Sequence, residues 1–213
     1  MKRAIPCLLL LLPRLLFCQT PVKPGDPDSI YGKLAAKLRN GDLSVDFQAL
    51  RFACSSAKEC EVRGNVTDLA AEAEAAKRKD WAAARQICEK ILGRGYADVE
   101  IHADLTAIFN ELDDLKSMRF HRDIVVGLLG SIRNRKGDSK ETAMEVISHR
   151  EIYSVLASMQ LPYFGPSVGW SSFPENGHNY ELYEIVEPIT KQKTQVYFNV
   201  DHVNKSKDVP NRP

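Results

Sequence analysis

The chain lacks most of the patterns that would reveal a chemistry. There is no Cys-x-x-Cys pair and no cysteine/histidine spacing of the kind that holds zinc. No HExxH, His-x-His or Gly-x-Ser-x-Gly occurs, which removes the common metalloprotease and serine-hydrolase signatures. Charge of one sign is missing too: 29 Lys and Arg stand against 28 Asp and Glu, with no long block of either. Neither nucleic acid nor an anionic membrane surface is therefore indicated as a partner. Beyond the first residues there is no second long apolar run, so a transmembrane span is not expected.

What is present begins with an address. In MKRAIPCLLLLLPRLLFCQT, Lys2 and Arg3 precede an apolar stretch broken by Pro13-Arg14. The stretch is too short for a bilayer core of about 30 Å, and the pattern reads as an export signal spanning 1–18, with cleavage after Cys18. The alternative is lipidation of Cys18, which Phe17 opposes, because a lipid-attachment motif asks for a small residue there. Cys54, Cys60 and Cys88 then remain in an exported chain, where disulfides persist. Two readings stand: a Cys54–Cys60 disulfide with Cys88 left over, or three reduced thiols with Cys88 packed as a small apolar residue.

A polar, Pro-rich leader fills 19–27. A helical pair is expected over 28–64, starting near Asp28 or Ser29, stopping at Asn40-Gly41-Asp42, and resuming with Ser44 as cap. Residues 65–136 carry two alanine-rich helix hairpins. Shifting the frame by thirty-four residues lays Asp80 on Asp114, Ala84 on Met118 and Ala73 on Ala107. That period is the one expected of tetratricopeptide-like repeats, although Lys77 and Glu111 stand where their signature has glycine; the alternative is a plain bundle of antiparallel helices joined by short turns, and a pair of repeat units would need neighbours to cap it.

From 137 to 204 the period changes. TAMEVIS reads as a strand, REIYSVLASMQ as a helix, and YELYEIVE and TQVYFNVD as alternating strands. The predicted class is α+β: tetratricopeptide-like hairpins, then a small, largely antiparallel sheet with one helix, and a tail over 205–213. Residues 161–180 are expected to form one long aromatic loop, which binds something or covers a core. KGDSKET is not a phosphate loop, since it lacks the second glycine and precedes a strand; Gly137 reads instead as the stop of the preceding basic helix.

Gly137-Asp138-Ser139-Lys140-Glu141-Thr142-Ala143 with Val146-Ile147, Glu151-x-Tyr153-x-Val155-Leu156, Val196-Tyr197-Phe198-Asn199-Val200 and the earlier NGDLSVDFQALRFA resembles exported bacterial proteins grouped as domain of unknown function 4919. The resemblance covers most of the mature chain. It implies an exported tetratricopeptide-like protein with a C-terminal module, and it supplies no catalytic residues. It also sets aside the Asn65-x-Thr67 and Asn204-x-Ser206 sites as glycosylation acceptors.

Of the histidines, His121 shares a stripe with Met118 and Val125 and is expected to be packed and hydrogen-bonded. His178 has the better functional case, because the loop could bring Glu175 to it. The acids from Asp98 to Asp114 either line a groove for a basic peptide or are offset by the basic helix that follows; the second is the expectation. The reading favoured is a non-enzymatic interaction scaffold of the bacterial envelope, with another envelope protein or peptide as partner and no cofactor or metal. Its binding residues would be Tyr163, Phe164, Trp170, Phe173, Glu175 and His178. The alternative is an envelope hydrolase or small-ligand binder using the 161–180 loop.

Overall fold

A computed structural model describes residues 28–58, 60–61, 66–186, 189 and 191–203. The export signal with Cys18, the leader, the tail, Asn65 and Asn204 lie outside the described residues.

Helix α1 (Ile30–Arg39) starts where the sequence indicates: Ser29 Oγ accepts from Gly32 N at 2.9 Å. Helix α2 (Phe47–Ser56) corrects the cap assignment. Asp46, not Ser44, accepts from Ala49 N at 2.9 Å, while the Asp42 carboxylate takes both the N–H and the hydroxyl of Ser44. Four longer helices follow: α3 (Val66–Lys77), α4 (Trp81–Arg94), α5 (Val99–Glu111) and α6 (Leu115–Ile132).

The two hairpin turns match bond for bond at the thirty-four-residue offset. Asp80 N donates to Ala75 O and Asp114 N to Phe109 O, each at 2.9 Å. Lys79 and Asp113 hold φ of 59° and 56°, and Asp80 and Asp114 cap α4 and α6 through Ala83 N and Ser117 N. Small residues keep the helices close. Ala75 and Ala84 are buried between α3 and α4, and at Gly127 the Phe47 ring of α2 occupies the space that a Cβ on α6 would need. Helices α1 to α6 share one core, with Leu38, Leu50, Ile91, Ile101, Leu105 and Leu128 at its centre.

A short strand β1 (Met144–Glu145), helix α7 (His149–Ser158), and strands β2 (Val168–Glu175), β3 (His178–Val186) and β4 (Lys193–Asn199) complete the chain. The sheet order is β1-β4-β3-β2, with β1 parallel to β4 and the other pairs antiparallel. Ile152, Val155 and Leu156 of α7 pack on Tyr183, Ile185, Val196 and Phe198 to make a second core.

Three expectations change here. The 161–180 segment is not one loop: β2 takes 168–175 and pairs with β3 around Asn176-Gly177, both at positive φ. Asn-Gly between alternating strands is the strongest short-range hairpin signal, because a two-residue turn of this hand matches strand twist. The TAMEVIS strand shrinks to two residues because Ser148 caps α7 directly after it. Gly137 does not end α6, whose cap is Arg133; instead its N–H donates to Thr142 O and its C=O accepts from Tyr197 N, hooking the 137–142 turn to β4.

Candidate functional site

The aromatic residues expected in one loop are distributed over three places. Tyr163 and Phe164 form a corner after α7: Tyr163 stacks on Tyr153 with ring centres 5.4 Å apart, and Phe164 meets Tyr163 edge-on at 5.0 Å. Phe164 remains 61% exposed. Trp170 sits on the core side of the sheet and donates its Nε1–H to Glu181 Oε2 at 2.9 Å, while His149 Nε2 lies 2.9 Å from the other Glu181 oxygen. Phe173 stacks on Tyr180 with Lys140 Nζ over its ring.

Glu175 and His178 face each other across the hairpin turn, but their side chains engage different partners. Glu175 pairs with Lys140, and His178 Nδ1 lies 2.6 Å from Asp201 Oδ2. No serine, threonine or cysteine is bonded to His178 among the described residues. The arrangement has a histidine and an orienting acid without a nucleophile to activate.

The remaining chemically interesting side chains are structural. Cys54 and Cys60 are disulfide-bonded with Cα atoms 5.2 Å apart. Cys88 is buried, and burial pushes its thiol up, so it stays protonated and inert. His102 and His121 form a buried pair with Nδ1 atoms 2.9 Å apart, and His102 Nε2 lies 3.1 Å from Tyr96 O. Since that carbonyl only accepts, His102 Nε2 donates to it, and His121 donates to His102 Nδ1. Burial holds their pKa values down, to about 3 for His102, helped by the second ring, and to about 4 for His121. Among the described residues, no group of three or more His, Cys, Asp or Glu is placed to hold a metal, and no helix is long and apolar enough to cross a membrane.

A better candidate lies where α5, α6 and α7 meet beneath the aromatic corner. An open groove of about 410 Å³ has Glu100 and Asp104 on one wall, Val125 and Leu129 on another, and Tyr153 and Tyr163 on the third. Asp104 is pushed up to about 7, first by burial and then by Glu72, Glu100 and Asp98, with Arg150 opposing. Burial likewise raises Glu100. The α5 acids are not offset by the basic helix after them: among the described ion pairs none joins α5 to α6, and the cation that reaches Asp98 and Glu100 is Arg150 of α7.

Glu100, Asp104, Tyr153 and Ser154 were not singled out as one site from the sequence. Glu100 and Asp104 at i, i+4 do share a helix face, but the α5–α7 contact that sets them opposite Tyr153 has no local signal. Compared with known proteins, the chain matches no family model, no curated protein and no solved structure.

Proposed function

We propose that the protein is a non-enzymatic interaction scaffold, exported to the bacterial envelope, that holds an extended segment of a partner protein in the groove between α5, α6 and α7. The observation carrying this reading is the groove itself: an open cleft with an apolar floor, an exposed aromatic rim at Phe164 and Tyr163, and carboxylates on one side. Interfaces concentrate binding energy in such aromatic anchors beside desolvated pockets. The hydrolase reading is weaker, because among the described residues no nucleophile is bonded to the His178–Asp201 pair.

Deleting 162–173 is a poor test, since it removes most of β2. A photo-crosslinking residue at Phe164 is cleaner. It should trap one defined partner in intact envelopes, and the additional substitution Ala103→Arg, which fills the groove from an exposed position, should abolish the adduct while leaving the circular dichroism spectrum unchanged. An adduct that survives Ala103→Arg would remove the groove from the interface.

A further inference from the structure

A smaller pocket adjoins the groove, and the two share Val99, Glu100 and Ser154 as walls. Its free space of about 10 Å³ admits one water-sized group and no more. Asp98, Ser148, Arg150 and Glu151 complete the polar lining. Two of these are already engaged: the Glu151 carboxylate is held by Arg51 and Ile147 N, and Ser148 Oγ accepts from Glu151 N. Three buried atoms around the pocket have no hydrogen-bond partner: Asp98 Oδ2, Arg150 Nε and Ser154 Oγ. Asp98 is only 3% exposed, and its Oδ1 is used in capping α5 through Ile101 N. The direct contact between Arg150 and Asp98 runs to that same Oδ1 at 3.6 Å, an ion pair too long to be a hydrogen bond. Unpartnered buried polar atoms are uncommon, and each calls for an account.

We propose that this pocket is a binding site for one structural water, which joins α7 to the start of α5. The water accepts from Arg150 Nε–H and donates to Asp98 Oδ2 and Ser154 Oγ, about the three bonds usual for a buried water. Chemistry excludes the other occupants of that size. An ammonium offers Arg150 Nε no acceptor, and an anion is repelled by Asp98 and offers its oxygen no donor. A methyl group leaves all three atoms unmet. Only a group that both donates and accepts answers the whole set. The bridge also completes the contact between Asp98 and Arg150, since a polar separation beyond about 3.5 Å is commonly closed by water. Its consequence reaches the groove. Arg150 pairs with Glu100, and Glu100 and Ser154 line both spaces, so a water that fixes Arg150 also fixes the spacing of two groove walls. The groove is thereby shaped before a partner arrives, which lowers the ordering cost of binding.

The test is a pair of water-selective NOE and ROE spectra of the full chain, read at the Arg150 Nε–H. A cross-peak to water of opposite sign in the two spectra is expected, the mark of a long-lived bound water. No cross-peak, or peaks of equal sign, overturns the proposal. Oxygen-17 relaxation dispersion gives the second readout. Ser154→Ala removes one of the three bonds and should shorten the water's residence time about fivefold; an unchanged residence time overturns the bridge through Ser154. Neither readout involves Phe164 or a partner. Failure of the water therefore leaves the scaffold reading standing, and failure of the Phe164 crosslink leaves the water in place.

Discussion

The helical half of the molecule and its sheet module are held together in different ways. Helices α1 to α6 share close apolar packing, and the hairpins of α3 to α6 are fixed by short turns and contacts between chain neighbours, such as the bonds from Asp80 to Ala75 and from Asp114 to Phe109. The module sits against them through apolar packing, with Leu129 and Ile132 of α6 in its core and Ile147 in the helical core, and through a buried ion pair. Arg51 of α2, fully buried, makes a two-pronged pair with Glu151 of α7 at 2.7 Å for each prong, and also donates to Glu145 O. Glu151 accepts in addition from Ile147 N. These partners are about a hundred residues apart. The lesson is that the helical half follows from local pattern, while the junction adds to its apolar contacts a buried polar network whose members must all be present.

The comparison can be broken most severely at Arg51. Arg51→Ala leaves Glu151 buried without its cation and is expected to cost about 3–5 kcal/mol in urea unfolding. Arg51→Met with Glu151→Leu should recover much of that, because two apolar groups leave no charge unpaired. A cost no larger than that of a surface substitution would mean the junction is not held by this pair.

A smaller effect, confined to the helical half, is expected from the disulfide. Cys54→Ser with Cys60→Ser opens a seven-residue loop, worth about 2 kcal/mol by loop entropy. Hydrogen exchange should then quicken at the end of α2 and leave β3 and β4 unchanged; faster exchange in the strands would show the halves to be more tightly coupled than described.

The finest distinction is in pH. The unfolded chain protonates His102 and His121 below about pH 6.5, but the folded protein resists until about 3 and about 4. Their contribution to stability is therefore lost as pH falls through that window. Asp104 has the opposite sign: its folded carboxyl keeps a proton up to about 7 against 3.8 unfolded, so its contribution is lost as pH rises between those values. In Asp104→Asn only the histidine slope and the unchanged carboxyls remain. Stability should climb with pH between about 4 and 6.5 more steeply than in the parent, and the variant should be the more stable above about pH 7. Parallel curves from denaturant titrations at several pH values would refute the assignment.

Much of the helical architecture was legible because its signals are local. Ser29, Asn40-Gly41 and the Asp80/Asp114 turns are written in residue type and spacing, and each makes the bond its position implies. The hairpin was legible as well, in Asn176-Gly177, although the aromatic and Gly/Pro content of the segment pointed to a loop. The candidate site was not. Tyr163 and Phe164 belong to it, but Trp170, Phe173, Glu175 and His178 went elsewhere, since alternation along β2 and β3 sends neighbouring side chains to opposite faces.

The sequence by itself determined the α+β class, the helix hairpins and their thirty-four-residue turns, because a cap or a left-handed turn is fixed by residues within five positions of one another. Tertiary structure alone decided that Arg150 answers Asp98 and Glu100, that Glu151 takes Arg51, and that Asp104 and Ser154 line a groove with Tyr153. Charge pairing and burial depend on distance in space rather than along the chain. Which acid meets which base was open until α7 folded back against α5.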